Sequence, residues 1–334
     1  MNDTKISVII TAYNRRNFLM QAIESVIHQE IDHSEYEVIV ITNFKIELNM
    51  FSPDLQISSI VMEGTIGEFL YAGVEMSRYE LIAFLDDDDT WEPNKIERIL
   101  SFFNRDETLM YYHNSCSYIN ELDKPISYSR MIESRFKSVP VDILHFDCTH
   151  EIEKLSVALR MKGDFNLSCI TIRRIVLERY IELLGKITSC QDGFFFWVSI
   201  ISSGKIMIDS EKLTRYRVHD QNVTKSMSFE SKAAEVGKMV RTYSLLLNYL
   251  DQFETSSKNH APIEKWISLM KLEYEMIQLI FLLAERKKMA EMAKTLFRYN
   301  RRIKNSLKHR LLLFSCIYLV SPSIGVYIYR KISK

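Results

Sequence analysis

Four consecutive carboxylates, Asp86-Asp87-Asp88-Asp89, follow directly on the apolar run Leu81-Ile82-Ala83-Phe84-Leu85. Acids this close repel one another, so ordering them beside an apolar strand without a cation is costly. A hard divalent ion, Mg²⁺ or Mn²⁺, is the economical partner for such oxygen ligands. The ordinary fate of a charge run is a solvated acidic turn. Acids that abut a buried strand point instead to a site. The apolar residues read as a strand buried on both faces, as inside a parallel sheet. Pro93 suits the first turn of a helix just beyond. Ligands of open α/β sheets bind past the carboxyl ends of strands, which is where these acids fall.

The elements that must hold this loop are legible on either side of it. Ile6-Ser7-Val8-Ile9-Ile10 is a mostly β-branched first strand, and Thr11 to Arg16 is a loop at its carboxyl end. Phe18, Leu19, Ala22, Ile23, Val26 and Ile27 recur at helical spacing. Strands are expected over Tyr36 to Ile41 and Ile57 to Val61, and a helix through Phe69, Leu70, Gly73 and Met76. Strand alternating with helix predicts an α/β fold with a doubly wound, mainly parallel sheet. Beyond Pro93 a helix buries Ile96, Ile99, Leu100 and Phe103, and strands are expected at 109–113 and 168–172. Helices are expected at 151–161, at 174–184 and from Gln191-Asp192-Gly193. Two short strands, 206–208 and 214–218, lead to His219. From about Phe229 the pattern is helical, giving a C-terminal helical appendage. The expected organisation is 1–225 for the α/β domain, 226–300 for the appendage and 301–334 for a basic and apolar tail.

A chain of 334 residues, 47% hydrophobic, can bury a large core. Lys+Arg and Asp+Glu balance at 43 each, so the overall charge argues against a nucleic-acid partner. Five scattered cysteines without CxxC spacing read as reduced thiols of a cytoplasmic protein. Met1 to Lys5 runs straight into a strand and is read as carrying no signal peptide. The chain has only nine glycines, and no GxGxxG or GxxxxGK[ST] follows a strand. That counts against dinucleotide, P-loop and sugar-nucleotidyltransferase readings, while a nucleotide held through a metal by carboxylates fits what is present.

Four blocks, in order, resemble family 2 glycosyltransferases with the GT-A fold. They are Ser7-Val8-Ile9-Ile10-Thr11-Ala12-Tyr13-Asn14-Arg15, Glu37-Val38-Ile39-Val40, the segment Phe84 to Lys95, and Gln191-Asp192 with the distal Tyr216-Arg217-Val218-His219. The resemblance covers roughly residues 5–225. It implies inverting, metal-dependent transfer from a nucleotide-sugar, a UDP-sugar being favoured, to a glycan or lipid-linked acceptor hydroxyl. It puts Asp88, Asp86 and His219 on the Mn²⁺ or Mg²⁺ ion. It puts Thr11, Tyr13, Asn14, Thr42, Asn43, Asp86 and Asp87 on the donor. Asp192 matches the catalytic base, at a helix start where the dipole favours the ionised form; an N-cap aspartate is its structural alternative. For His219 an ordinary packing role stands beside the metal role. The chain departs from the family where an Asp-Asp pair commonly follows the second strand, because Thr42 and Asn43 stand there. Gln191 likewise replaces the usual Glu. A catalytically inactive GT-A-fold binding or scaffold protein is the reading those departures would favour.

Leu311 to Tyr329 carries no charged residue and is flanked by Arg298, Arg301, Arg302, Lys304, Lys308 and Arg310 on one side. Arg330, Lys331 and Lys334 follow on the other. Such a run could just span a bilayer, but Ser321-Pro322-Ser323 interrupts it and both flanks are basic. The expectation is a segment lying on the cytoplasmic face of a membrane, with a helix buried on the protein itself as the alternative.

Overall fold

A computed structural model describes residues 4–48, 51, 54–126, 141–219, 229–253 and 260–286. The chain divides into two compact units after His219.

In the first unit, nine strands among the described residues form one sheet. They are β1 (Ile6–Ala12), β2 (Tyr36–Thr42), β3 (Ile57–Val61), β4 (Leu81–Asp86), β5 (Thr90–Trp91), β6 (Leu109–Ile119), β7 (Ile143–Asp147), β8 (Ile170–Arg173) and β9 (Lys205–Arg217). Their order is β3-β2-β1-β4-β8-β6-β9-β5, with β7 also on β9. The half built from β1 to β4 is parallel throughout. Beyond β4 the sheet is mixed: β8 runs antiparallel to β4 and β6, while β6 and β9 are parallel.

Every residue of β1 and β2 is buried, which is why these strands read as nearly continuous apolar runs rather than alternating ones, and the buried Ser7 hydroxyl donates to Glu37 across them at 2.7 Å. Each fully buried Val, Leu or Ile contributes about 1.5–3 kcal/mol. Helices α1 (Leu19–Ile27), α2 (Ile66–Met76) and α3 (Lys95–Arg105) follow the early strands. A capping box starts α2: the Thr65 side chain accepts from Glu68 N–H, and the Glu68 carboxylate accepts from Thr65 N–H. Gly67 lets that helix start close against the backbone, since a Cβ there would lie 2.3 Å from the Leu184 carbonyl. Helices α4 (Leu155–Arg160), α5 (Arg174–Leu184) and α6 (Gln191–Ile201) complete the unit. From Gly193 onward α6 is buried on all sides, as an all-apolar helix must be, and Phe195 stacks on Phe84 of β4 at 4.4 Å.

Three expectations need correction. The two short strands expected at 206–208 and 214–218 are one strand, β9, with register shifts opposite Asn114 to Cys116 that carry the polar residues between them. The carboxylate run is followed by a two-residue strand, β5, paired to β9, before α3 begins at Lys95. The edge strand β7 was not anticipated; its buried and exposed residues alternate over only five positions.

The second unit contains α7 (Phe229–Phe253) and α8 (His260–Arg286), which pack on each other with Tyr243 stacked on Tyr274 at 5.4 Å. Residues 301–334, the expected basic and apolar tail, lie outside the described residues. Among the described residues no helix is long and apolar enough to cross a membrane.

Candidate active site

The parallel register sets the site's position. Thr11 on β1 is the partner of Asp86 on β4, and Ala12 that of Thr42 on β2. The loops after β1, β2 and β4 therefore leave the sheet side by side, and the residues expected to do chemistry sit on them.

The acid run is not a solvated turn. Asp87, Asp88 and Asp89 are all buried. Burial first, and then the neighbouring carboxylates, push Asp86 well above the ordinary carboxylate range. The same causes lift Asp87 to about 6, with Arg15 pulling the other way. Much of the compensating charge comes from Arg15. Its guanidinium holds both oxygens of Asp87, through Nε at 3.1 Å and through Nη2. Its Nη1 lies 2.8 Å from Asp88 Oδ2. Burial works against the Arg15 charge, but Asp88 and Asp87 outweigh it and hold the guanidinium protonated.

Asp89 turns inward and serves as an anchor. Its Oδ1 accepts the Arg217 N–H at 3.0 Å, and its Oδ2 accepts Ser168 Oγ at 2.7 Å and Asn166 Nδ2 at 3.1 Å. Burial and Asp88 nonetheless raise it to about 7. Ser168 Oγ also accepts the Asp86 N–H at 3.0 Å, so one hydroxyl holds both ends of the turn. The Ser168 carbonyl is in turn gripped by Trp91 Nε1 at 3.0 Å and by the fully buried Lys95 Nζ at 2.6 Å. The Arg217 side chain, fully buried, donates to the Asp88 carbonyl at 2.8 Å and to Gln21 Oε1 at 2.9 Å. These bonds fix the turn from behind.

His219, just beyond the end of β9, places Nε2 3.0 Å from Asp88 Oδ2. Asp88 and His219 thus meet, whereas Asp86 does not join them in a three-donor cage; among the described residues no such cage of His, Cys, Asp or Glu exists. An imidazole and a carboxylate that converge without closing the site suit a hard ion that completes its shell with substrate phosphates and water. The residues present fit Mn²⁺ or Mg²⁺ on those terms.

The donor-loop residues divide. Asn14, at a left-handed φ of 57°, exchanges hydrogen bonds with Asn43: its N–H donates to Asn43 Oδ1 at 2.9 Å, and Asn43 Nδ2 donates to Asn14 Oδ1 at 2.8 Å. The loops after β1 and β2 are thereby latched. Tyr13 stands out from them, 51% exposed, with its ring edge-on to Phe69 at 5.9 Å. Thr11 and Thr42 are buried, and the Thr42 hydroxyl donates to the Phe44 carbonyl.

Asp192 is linked to the acid turn through Asn166, which bonds to it by its backbone and to Asp89 by its side chain. It occupies the first turn of α6 rather than its N-cap, which is Cys190 in the left-handed conformation. Its carboxylate accepts the N–H groups of Gly193 at 2.9 Å and Asn166 at 3.1 Å. The helix start does not hold it at ordinary acidity. Burial pushes Asp192 up to about 6, Asp164 adds to this, and the two N–H groups restrain it. A carboxylate poised there is mostly ionised at neutral pH and still basic enough to accept a proton.

Arg15, Asn166, Ser168, Lys95 and Arg217 were given no role from the sequence. Arg15 and Arg217 lay within the blocks that carried the resemblance and could have been flagged as cations next to acids. Asn166 and Ser168 carried no signal.

Residues 7–160 match the sequence profile Glycosyl transferase family 2. An uncharacterized glycosyltransferase of Nostoc sp. is 28% identical over 233 residues, covering 65% of this chain and 66% of that protein. One of Rickettsia typhi is 25% identical over 228 residues, covering 66% and 65%. One of Rickettsia bellii is 35% identical over 131 residues, covering 37% and 18%. This chain thus spans about two thirds or less of each relative's length. Among solved structures, S. aureus TarS 1-349 in complex with UDP-GlcNAc overlays with a TM-score of 0.54 at 12% identity, covering 89% of this chain and 92% of that one. TarS 1-349 in complex with UDP gives 0.53 at 13% identity, covering 98% and 90%. At those identities the likeness is one of fold. The sequence match across the acid turn thus makes residues 7–160 similar to family 2 glycosyltransferases, and the first unit of the chain has the GT-A-type fold seen in TarS.

Proposed function

We propose that the chain transfers a sugar from a nucleotide-sugar, a UDP-sugar being favoured, to a hydroxyl of a glycan or lipid-linked acceptor, with inversion at the anomeric carbon. The observation that carries this reading is the link through Asn166, which holds the acid turn by its side chain and Asp192 by its backbone. Two carboxylate centres with different duties are thereby kept at a set separation. The fold shared with TarS, whose structures hold UDP-GlcNAc and UDP, supports the choice of donor.

The acceptor oxygen attacks the anomeric carbon as the bond from that carbon to the diphosphate oxygen breaks. The acceptor proton passes to Asp192, and the nucleoside diphosphate departs. Asp88 and His219 would hold Mn²⁺ or Mg²⁺, which when bound neutralises the charge growing on the leaving diphosphate. Tyr13, Asn14 and Asn43 are assigned to the base and ribose.

Thermal shift with UDP, GDP and TDP, each with and without Mn²⁺, tests the reading, since a ligand stabilises only the state that binds it. Stabilisation that needs nucleotide and Mn²⁺ together, and that disappears in Asp88→Ala, supports it. No stabilisation by any nucleoside diphosphate in Mn²⁺ would overturn it. We further propose that 298–334 attaches the protein peripherally to the cytoplasmic face of a membrane, on the strength of its basic flanks around an uncharged apolar run.

A further inference from the structure

We infer that Arg15 is the counter-ion of the unloaded acid turn, and that it moves from Asp88 to the donor's diphosphate when donor and cation arrive. Cation binding then depends on the nucleotide. The inference rests on the donor reading above and adds a coupling that it does not contain.

The geometry concentrates three groups on one oxygen. Asp88 Oδ2 lies 2.8 Å from Arg15 Nη1 and 3.0 Å from His219 Nε2. This is the carboxylate oxygen that faces His219, and so the one a cation shared by the two residues would take. A guanidinium and a divalent cation on one oxygen would repel each other strongly, as like charges at contact distance in a partly dry site. The cation therefore has to displace Arg15. Without nucleotide, displacement takes Asp88 from the Arg15 guanidinium and leaves it Asp87 and the weaker pull of Asp86, with nothing to replace what it lost. With nucleotide, the diphosphate offers the guanidinium a bidentate anionic partner, the geometry that arginine fits best.

The two sides of the pair differ in freedom. The Asp87 and Asp88 side chains are only 4% and 10% exposed, and the turn is held from behind by Ser168 and Arg217. The Arg15 side chain is 30% exposed and stands on the loop after β1, next to Asn14. Arginine is thus the member that can swing, and it enters from the solvent side where the donor must also enter. Arg16, its neighbour, is engaged elsewhere: it stacks on Phe44 at 4.1 Å and donates to the Lys45 carbonyl at 3.1 Å. The switching role therefore falls to Arg15 alone of the two.

The test is Mn²⁺ affinity, read from the free-ion EPR signal of the full chain with and without UDP. Wild type should bind Mn²⁺ weakly alone and much more tightly with UDP. Arg15→Gln removes the charge but keeps hydrogen-bonding atoms. It should bind Mn²⁺ alone about tenfold more tightly than wild type, and the gain on adding UDP should shrink by a similar factor, within the usual range of coupling between two ligands. Arg15→Lys, which keeps the charge but not the bidentate fork, should bind Mn²⁺ alone as weakly as wild type and recover only part of the gain on adding UDP. A second measurement needs no variant that must fold: the Arg15 Nε–Hε NMR signal should shift on adding UDP with Mg²⁺, and not with Mg²⁺ alone. If wild type forms a UDP–Mn²⁺ complex, but Arg15→Gln binds Mn²⁺ alone no better or the Nε signal stays put with UDP and Mg²⁺, the Arg15 assignment is overturned and the donor reading stands. Failure of wild type to form any UDP–Mn²⁺ complex overturns both.

Discussion

The backbone N–H of Asn166 lies 3.1 Å from Asp192 Oδ2, while the same residue's side-chain amide donates to Asp89 Oδ2 at 3.1 Å. Asn166 holds this double position at a φ of 67°, a conformation that side chains other than glycine, asparagine and aspartate rarely adopt. Its Oδ1 also accepts the Ser168 N–H at 2.7 Å, closing a local turn that offsets the backbone cost. One asparagine therefore sets the relation between the acid turn and Asp192.

Asp192→Asn is expected to lower kcat by about 10²–10⁴, the usual worth of a general base, while UDP binds in Mn²⁺ with near wild-type affinity. In wild type, kcat/KM should rise with pH through about 6 and then level, because the base must be ionised. The stability sign is opposite. A carboxyl whose folded pKa is raised stabilises the fold below its unfolded pKa, and that contribution is lost as pH rises through about 6. Asp192→Asn loses one of the two N–H bonds at every pH, so the linkage shows in the difference: its melting temperature relative to wild type should be higher at pH 7.5 than at pH 4. Normal transfer by the variant would remove Asp192 from the role of base.

Asn166→Gly keeps the backbone conformation, and with it the N–H bond to Asp192, but removes the bond to Asp89. It should weaken nucleotide binding in Mn²⁺ several-fold and leave the pH at which activity is half-lost within experimental error of wild type. Asn166→Ala should show the same binding defect together with a further stability loss of about 1 kcal/mol, because alanine is penalised at positive φ. Chemical denaturation and calorimetry read the two effects separately. Equal stability of the glycine and alanine variants would argue against the strained backbone as the reason for asparagine here.

Asn43→Asp places an acid after β2 at the cost of the hydrogen bond that Asn43 Nδ2 donates to Asn14 Oδ1. The substitution should change the affinity ratio of the three diphosphates, raising UDP and TDP together relative to GDP, since a carboxylate accepts more strongly from the pyrimidine N3–H than a neutral amide does. Calorimetric affinities for the three diphosphates in both proteins decide it. An unchanged ratio means that Asn43 only latches the two loops.

Flotation with anionic vesicles should recover the full chain and leave behind one ending near Arg298, because each basic residue near an anionic surface adds about 1 kcal/mol. Raising salt to 1 M, where the screening length falls to about 3 Å, should reduce recovery in part and leave the apolar contribution. Equal recovery of the two chains at low salt would rule out attachment through the tail.

The fold and the carboxylates of the site were readable from local pattern. Buried parallel strands such as β1, β2 and β4 are apolar over most of their length, and the acids begin at the end of β4, so strand, sheet end and cluster are one local signal. Asp192 opening an apolar helix was local in the same way. The counter-charge was not. Arg15 is 72 positions from Asp87, Arg217 is 128 from Asp89, and Asn166 and Ser168 are 77 and 79 from Asp89. No periodicity links residues so far apart; the pairing of β1 with β4 brings Arg15 to the acids, and the packing of β9 and of the turn leading into β8 on the acid turn brings the others. The acidity of Asp192 was likewise decided in three dimensions. A helix start alone favours the ionised carboxylate, whereas burial and Asp164 raise its pKa, an environment assembled from segments that the sequence keeps apart.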